Sequence, residues 1–407
     1  MLICQELIAN HMLVVIIIII IIIISSITIT NTILQLLNII TITTITLLLS
    51  LLLPLLLSLL LPLLLLLLAA SAKAPLAPWE FKRRSLKPND VLVEILFSGI
   101  CHSDIHQARE EWGPANFPMV PGHEIVGKVS AVGAAVTKFS VGEKVGVGVY
   151  VDSCKTCSNC VLKESNYCLE GMTGTYNAKE RDGSGITQGG YSNCIVVNED
   201  YALHVPDNLD LAGCAPLLCA GITLYSPLKH WKAGPGKTVA IVGLGGLGHM
   251  GVKFGKALGA EITVLSHSPS KEEDALKMGA DKFVSTKDET CFKTLANYFD
   301  LIVNTVSADI DLNPYLGMLK LDGSLVIVGL PGKPAPIHAF SLLGQRRSLA
   351  GSMIGNIDET QEMLDFAGKH NIVSDVEVIK ADYINQAYER VIASDVKYRF
   401  VIDAKTF

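Results

Sequence analysis

Apolar and polar positions follow three different rhythms along the chain. After Glu6 no Asp, Glu, Lys or Arg occurs until Lys73; Ile16 to Ile24 is an unbroken isoleucine run, and a leucine tract from Leu47 to Leu68 is broken by Pro54 and Pro62. The pattern then changes. Residues 91 to 97, "VLVEILF", alternate as a half-buried strand does, and Gly99 to Ser103 ends that strand in a turn. Short β-type runs with glycine turns continue to about Val205 ("EIVGKVSAVG", "VGEKVGVGVYV", "SNCIVVN") and predict a compact, mostly β unit. From about Leu217 apolar runs such as "TVAIVGLG", "EITVLS", "DLIVNTVS" and "SLVIVGL" alternate with helical stretches such as "HMGVKFGKALG" and "KEEDALKMGA". Apolar strands alternating with helices predict a doubly wound parallel sheet. The last fifty residues return to β segments, "VSDVEVIK" and "YRFVIDA", that can pair with the first unit. The expected organisation is a low-complexity segment over 1–72, a β-rich domain over 73–216 completed by 353–407, and an inserted α/β domain over 217–352.

Three readings of residues 1–72 compete. The leucine tract is long enough to span a bilayer, which takes roughly 20 apolar residues. Lys73, Lys82, Arg83 and Arg84 would then keep the globular part on the cytosolic side. A targeting segment is a second reading, although a charged leading region is missing and the segment is overlong. Simple repeats translated upstream of the true start are the third. The globular part is expected in the cytoplasm under the first and third of these, tethered to a membrane only through residues 1–72.

Composition narrows the function classes. The formal net charge is −6 with no basic block, which argues against nucleic acid as a partner. Four of the ten cysteines fall within "VDSCKTCSNCVLKESNYC"; the others are Cys4, Cys101, Cys194, Cys214, Cys219 and Cys291. Disulfides would need an oxidising compartment, and a redox pair would use only two of the four clustered thiols. The spacing of Cys154, Cys157, Cys160 and Cys168 lets one loop wrap a tetrahedral ion with all coordination positions filled, which predicts a structural zinc site. An iron–sulfur cluster is the remaining alternative.

The stretch "VAIVGLGGLGHMGVKFGKALGA" sets Gly243, Gly245 and Gly248 in G-x-G-x-x-G spacing, with Gly246 inside it, between a strand and an amphipathic helix. That context suits a dinucleotide: glycines permit close backbone approach, and a helix N-terminus faces the pyrophosphate. An ordinary glycine turn is the bland reading. The second strand ends in Ser266, with Ser268 and Lys271 just beyond, while its only carboxylate, Glu261, stands at the opposite end. Hydroxyls and a lysine accommodate a 2′-phosphate, so NADP(H) is expected rather than NAD(H).

A second set of metal-binding residue types is dispersed. "GICHSDIHQ" carries Cys101, "PMVPGHEIVG" carries His123, and "LLCAGIT" carries Cys219. Each alone reads as a core or loop residue. With the dinucleotide motif, two thiolates and an imidazole make a three-ligand zinc set with a position left for water or substrate.

These motifs, together with "CKTCSNC", "QGGYSN" and "YRFVID", are collinear from about Lys73 to Phe407. In this span the chain resembles the zinc-dependent medium-chain alcohol dehydrogenases, in the branch of cinnamyl alcohol dehydrogenase and NADPH-dependent aldehyde reductases. The resemblance implies a GroES-like catalytic domain with an inserted Rossmann domain, two zinc ions per chain, and interconversion of primary alcohols and aldehydes by hydride transfer with NADP(H). It implies a catalytic zinc on Cys101, His123 and Cys219, Glu124 as a fourth or alternating ligand, and Asp104 orienting the histidine. Ser103 and His106 match the family's proton relay, Thr223 a cofactor-contacting threonine, and Thr305, Gly329 and Ser352 the chain beside the nicotinamide. Trp112 falls at a pocket position and leans toward aldehydes, against the alternative of a mannitol-type polyol dehydrogenase. His102 receives no role. A homodimer through the edge of the nucleotide-binding sheet is implied as well. A non-catalytic, membrane-tethered zinc- and nucleotide-binding protein is the reading from a different class; it would be signalled by a missing ligand or relay residue, and none is missing. The family's first strand has no counterpart in sequence: it is either lost or replaced by Leu65 to Ala70.

Overall fold

The computed structural model describes residues 64–407, which lie in one compact unit. The candidate anchor or targeting segment therefore lies outside the described residues, apart from its last few positions. Those positions join the fold. Leu64–Leu68 forms a strand paired antiparallel with Ala77–Phe81, and Ala69 exchanges main-chain hydrogen bonds with Met119 at 2.9 and 3.1 Å. The leucine tract thus supplies the first strand, one residue earlier than expected, and the compositional boundary at 72 falls inside the folded unit.

The first large sheet has seven strands. Asp90–Gly99 is its centre, flanked antiparallel by Ile125–Val132 on one side and by Arg399–Asp403 on the other. Lys144–Val147 and Ala202–His204 extend it in one direction, Val376–Ile379 in the other, and Cys194–Asn198 pairs with the first half of the central strand. The C-terminal "RFVID" strand thereby pairs with residues 97–99, immediately before Cys101.

The second sheet has six parallel strands in the order Lys282–Ser285, Glu261–Ser266, Thr238–Val242, Phe299–Asn304, Leu319–Ile327 and Ser348–Gly351. Its inner strands are apolar without alternation because helices cover both faces: Val239, Ala240, Ile241 and Val242 are all buried, as are Leu301, Ile302 and Val303. Strand order reverses between Thr238–Val242 and Phe299–Asn304, which opens a crevice at their carboxyl ends. Among the described residues no single helix is long and apolar enough to cross a membrane.

Candidate active site

Local sequence explains how Cys101 is presented. It caps the helix His102–Ala108, and the Asp104 carboxylate reaches back to accept from the Cys101 N–H at 2.9 Å, one half of a capping box. Asp104 is fully buried and accepts three further bonds, from Gly122 N at 3.1 Å, the Tyr191 hydroxyl at 2.8 Å and His123 Nδ1 at 3.1 Å. A carboxylate only accepts, so His123 carries a proton on Nδ1 and Nε2 is the atom turned inward. Burial works against a charge on His123, but Asp104 outweighs it and holds the imidazole well above its ordinary pKa.

His123 Nε2, a Glu124 oxygen and the Cys101 and Cys219 sulfurs lie within 4.8 Å of one another, and all four residues are buried. The two sulfurs are 3.9 Å apart. Their hydrogen bond draws Cys101 below the ordinary thiol pKa and pushes Cys219 above it. His123 Nε2 and Glu124 Oε2 are buried and have no protein partner. Unpartnered buried donor atoms of N, O and S type, converging on one point, fit a zinc ion. Gly99 is needed for this approach, since a Cβ there would lie 2.0 Å from Glu124 Oε2.

The other oxygen of Glu124 pairs with Arg399, which is only 5% exposed. Burial alone would lower Arg399, but Glu124 and the two thiols push its pKa up, while burial lifts Glu124 to about 7 against the pull of Arg399. Arg399 also packs on the glycine-rich turn: a Cβ on Gly246 would come within 2.9 Å of it. Arg399 went unassigned in the sequence, although an arginine inside the apolar run "RFVID" is the signal. Tyr191, in "QGGYSN", was likewise not singled out.

Of the expected relay residues Ser103 borders this cluster, and His106 follows three residues later on the same helix. Ser103 Oγ lies 3.5 Å from the Cys101 sulfur. His106 stacks on Trp112 with ring centroids 4.8 Å apart and on His102 at 5.9 Å, and its Nδ1 contacts the Glu111 carboxylate. Thr223 is buried one turn after Cys219, on the helix Ala220–His230.

The nucleotide candidates gather at the carboxyl ends of the parallel strands. Gly243 ends Thr238–Val242 with φ +88, and a Cβ on Gly248 would sit 1.9 Å from the Gly243 carbonyl, so the helix Gly248–Ala257 packs close to the strand end. A Cβ on Gly245 would meet open space. Thr305 donates to the Val242 carbonyl at 2.8 Å, Gly329 lies against the Val306 carbonyl, and Ser352 follows the strand Ser348–Gly351. Ser266 is buried and accepts from Ser268 N at 3.2 Å. Lys271 bends back to the glycine-rich turn, its Nζ 2.7 Å from the Leu244 carbonyl, and burial lowers its pKa. A cleft of about 340 Å³ joins Gly245, Gly246 and Lys271 to His102 and Arg399. Another cleft, of about 330 Å³ beside Cys154, pairs Arg84 with Asp90 and Lys87 with Asp182, and holds none of the predicted catalytic or cofactor residues.

Cys154, Cys157, Cys160 and Cys168 also bring their sulfurs within 4.8 Å of one another, unbridged by any disulfide. Main-chain N–H groups of Cys157 and Leu169 point at sulfurs at 3.3 and 3.4 Å. Such donors favour thiolates, and those around Cys154 lower its pKa to about 6. Four thiolates around one point fit a closed tetrahedral zinc site.

Comparison with known proteins agrees with this geometry. Residues 87–207 match the alcohol dehydrogenase GroES-like domain, and residues 246–369 match the zinc-binding dehydrogenase family. NADP-dependent alcohol dehydrogenase C 1 of Mycolicibacterium smegmatis is 59% identical over 336 residues, covering 82% of this chain and 96% of its own. An aldehyde reductase of Escherichia coli is 52% identical over 341 residues, covering 83% and 97%. A solved cinnamyl alcohol dehydrogenase of Sorghum bicolor superposes with a TM-score of 0.82 at 44% identity, covering 84% of this chain and 98% of that one. The chain belongs to the zinc-dependent medium-chain alcohol dehydrogenase family, in its cinnamyl alcohol dehydrogenase and aldehyde reductase branch.

Proposed function

We propose that the protein interconverts primary alcohols and aldehydes with NADP(H), acting as an aldehyde reductase. The observation that carries this reading is the junction of two constellations. Arg399 touches both Glu124 of the buried Cys101–His123–Cys219 cluster and Gly246 of the dinucleotide turn. The NADP-dependent relative supports the cofactor, and the aldehyde reductase relative supports the substrate class.

Cys101, His123 and Cys219, with Glu124 as a further ligand, would hold a zinc ion whose Lewis acidity would act on a carbonyl oxygen, and bound NADPH would supply the hydride. The remaining work falls to the chain. Asp104 keeps His123 in the tautomer that leaves Nε2 free. Ser103 holds the proton exchanged with the substrate oxygen, and His106, oriented by Glu111 and Trp112, passes it toward solvent. Arg399 brings positive charge to the pyrophosphate beside Gly243, Gly245, Gly246 and Gly248, with His102, an imidazole that burial keeps from charging, on the same cleft; Thr223, Thr305, Gly329 and Ser352 are assigned to the nicotinamide half. Ser266, Ser268 and Lys271 take the 2′-phosphate, Lys271 leaving the Leu244 carbonyl to do so. The four-cysteine loop would hold the second zinc. The exposed face of Trp112 near His106 suits a flat aldehyde better than a polyol, which needs several hydrogen-bonding groups in its pocket. Exposed Phe340 and Leu343, close in sequence to the edge strand Ser348–Gly351, support a homodimer through that edge.

The test is NADPH oxidation by the full chain with cinnamaldehyde and benzaldehyde, with zinc counted in the same preparation. Two zinc ions and aldehyde turnover, with turnover lost in Cys101→Ser, are expected. Two zinc ions with polyol oxidation and no aldehyde turnover would overturn the substrate class.

A further inference from the structure

The turn Ser352–Asn356 leads from the last parallel strand into the helix Ile357–His370. Its Met353 is held on both sides by the four-cysteine lobe. The Met353 N–H donates to the Tyr167 hydroxyl at 3.1 Å, and the Asn166 side-chain amide donates to the Met353 carbonyl at 3.0 Å. Asn166 and Tyr167 belong to the short turn Ser165–Tyr167, immediately before Cys168, so their placement depends on closure of the cysteine cluster. Asn356 donates to Glu164 at 3.3 Å and continues the same seam.

The residue after Met353 is in an unfavourable conformation. Ile354 is β-branched yet has φ +44, a backbone region such residues leave unless their surroundings over-determine it. Gly355 is pressed from the other side: a Cβ there would lie 2.6 Å from Ile222, on the helix that begins after Cys219 and carries Thr223. The turn is therefore wedged between the four-cysteine lobe and the helix of the other metal cluster, and Ser352 is its first residue.

We propose that Asn166 and Tyr167 are positioning residues for the cofactor: by holding both main-chain polar groups of Met353 they fix the Ser352–Asn356 turn and so set the affinity for the nicotinamide end of NADP(H). This rests on the NADP(H) reading above. Without the clasp Ile354 relaxes out of the left-handed region, and the peptide groups beside Ser352 change direction.

The discriminating variant is Tyr167→Phe, which removes one hydroxyl from a side chain that is 41% exposed. Full-length wild type and variant are titrated with NADPH and with adenosine 2′,5′-bisphosphate, which reports only the adenosine half of the site. Zinc content, melting temperature and amide exchange at residues 353–356 are measured on the same samples. The expected result is NADPH affinity weakened roughly five- to tenfold, the factor one hydrogen bond supplies. Adenosine bisphosphate affinity, zinc content and melting temperature stay at wild-type values, and exchange at Ile354 and Gly355 quickens. Unchanged NADPH affinity overturns the proposal, as does a parallel loss of both ligands together with zinc. A wild-type chain that binds neither ligand refutes the nucleotide reading itself, which separates the two failures.

Discussion

Asp104→Asn is the sharpest probe of how the catalytic cluster is held. The substitution keeps size and shape, so no cavity arises, but it replaces one acceptor oxygen by a donor NH2. All four partners of Asp104 donate: Gly122 N and His123 Nδ1 to one oxygen, Cys101 N and the Tyr191 hydroxyl to the other. If the amide faces Gly122 and His123, the imidazole must accept on Nδ1, which moves its proton to the inward Nε2 and blocks that lone pair. If it faces Cys101 and Tyr191, the hydroxyl can turn round, but the Cys101 N–H is left buried against a donor. Either arrangement leaves at least one buried N–H unsatisfied, a loss of about 1–3 kcal/mol. Expressed as zinc affinity this is roughly 10- to 100-fold, the range typical of residues that orient a metal-binding histidine. The assay is zinc competition against a chromogenic chelator, with the four-cysteine site as internal reference. At chelator concentrations where wild type keeps both ions, the variant is expected to keep one. Retention of both ions with the wild-type midpoint would refute the claim that Asp104 sets the ligand geometry.

Two further predictions follow from buried basic groups. His249 is fully buried between the Gly245 carbonyl and the Ser374 hydroxyl, and burial lowers its pKa from 6.5 to about 3. A depressed folded-state pKa stabilises the fold above pH 6.5, and that contribution is lost as pH falls toward 3, by up to ~1.4 kcal/mol per pH unit. Unfolding free energy measured by denaturant titration between pH 6 and 4 should therefore fall more steeply for wild type than for His249→Gln, and equal slopes would contradict the assignment. Lys271→Met should raise KM for NADPH by roughly tenfold or more, the value of a hydrogen bond to a charged group, with KM for NADH unchanged; equal effects on both cofactors would show that Lys271 serves only its contact with the Leu244 carbonyl.

Much was legible in the sequence because the signals were local. The four-cysteine loop is read from spacing alone, since one short loop must bring its own ligands together. The glycine-rich turn is read from a strand, three spaced glycines and a helix, because backbone approach at that point tolerates little else. The alternation of apolar strands with helices carried the parallel sheet for the same reason: each strand is buried on both faces. Arg399 and the clasp on Met353 were not legible. Their partners stand far along the chain, Arg399 beside Glu124 and Met353 beside Tyr167, and no periodicity links such positions.

The first strand shows the same division. Composition marks Leu64–Leu68 as part of a low-complexity tract, yet backbone hydrogen bonding to Ala77–Phe81 makes it a strand of the folded unit. Side-chain pattern over a few residues determines which elements form, which glycines are required and which thiols can share an ion. The meeting of Cys101, His123 and Cys219, the burial of Arg399 against Glu124, and the left-handed backbone of Ile354 were decided only by the tertiary structure, because each is imposed by a neighbour that packing alone brings within reach.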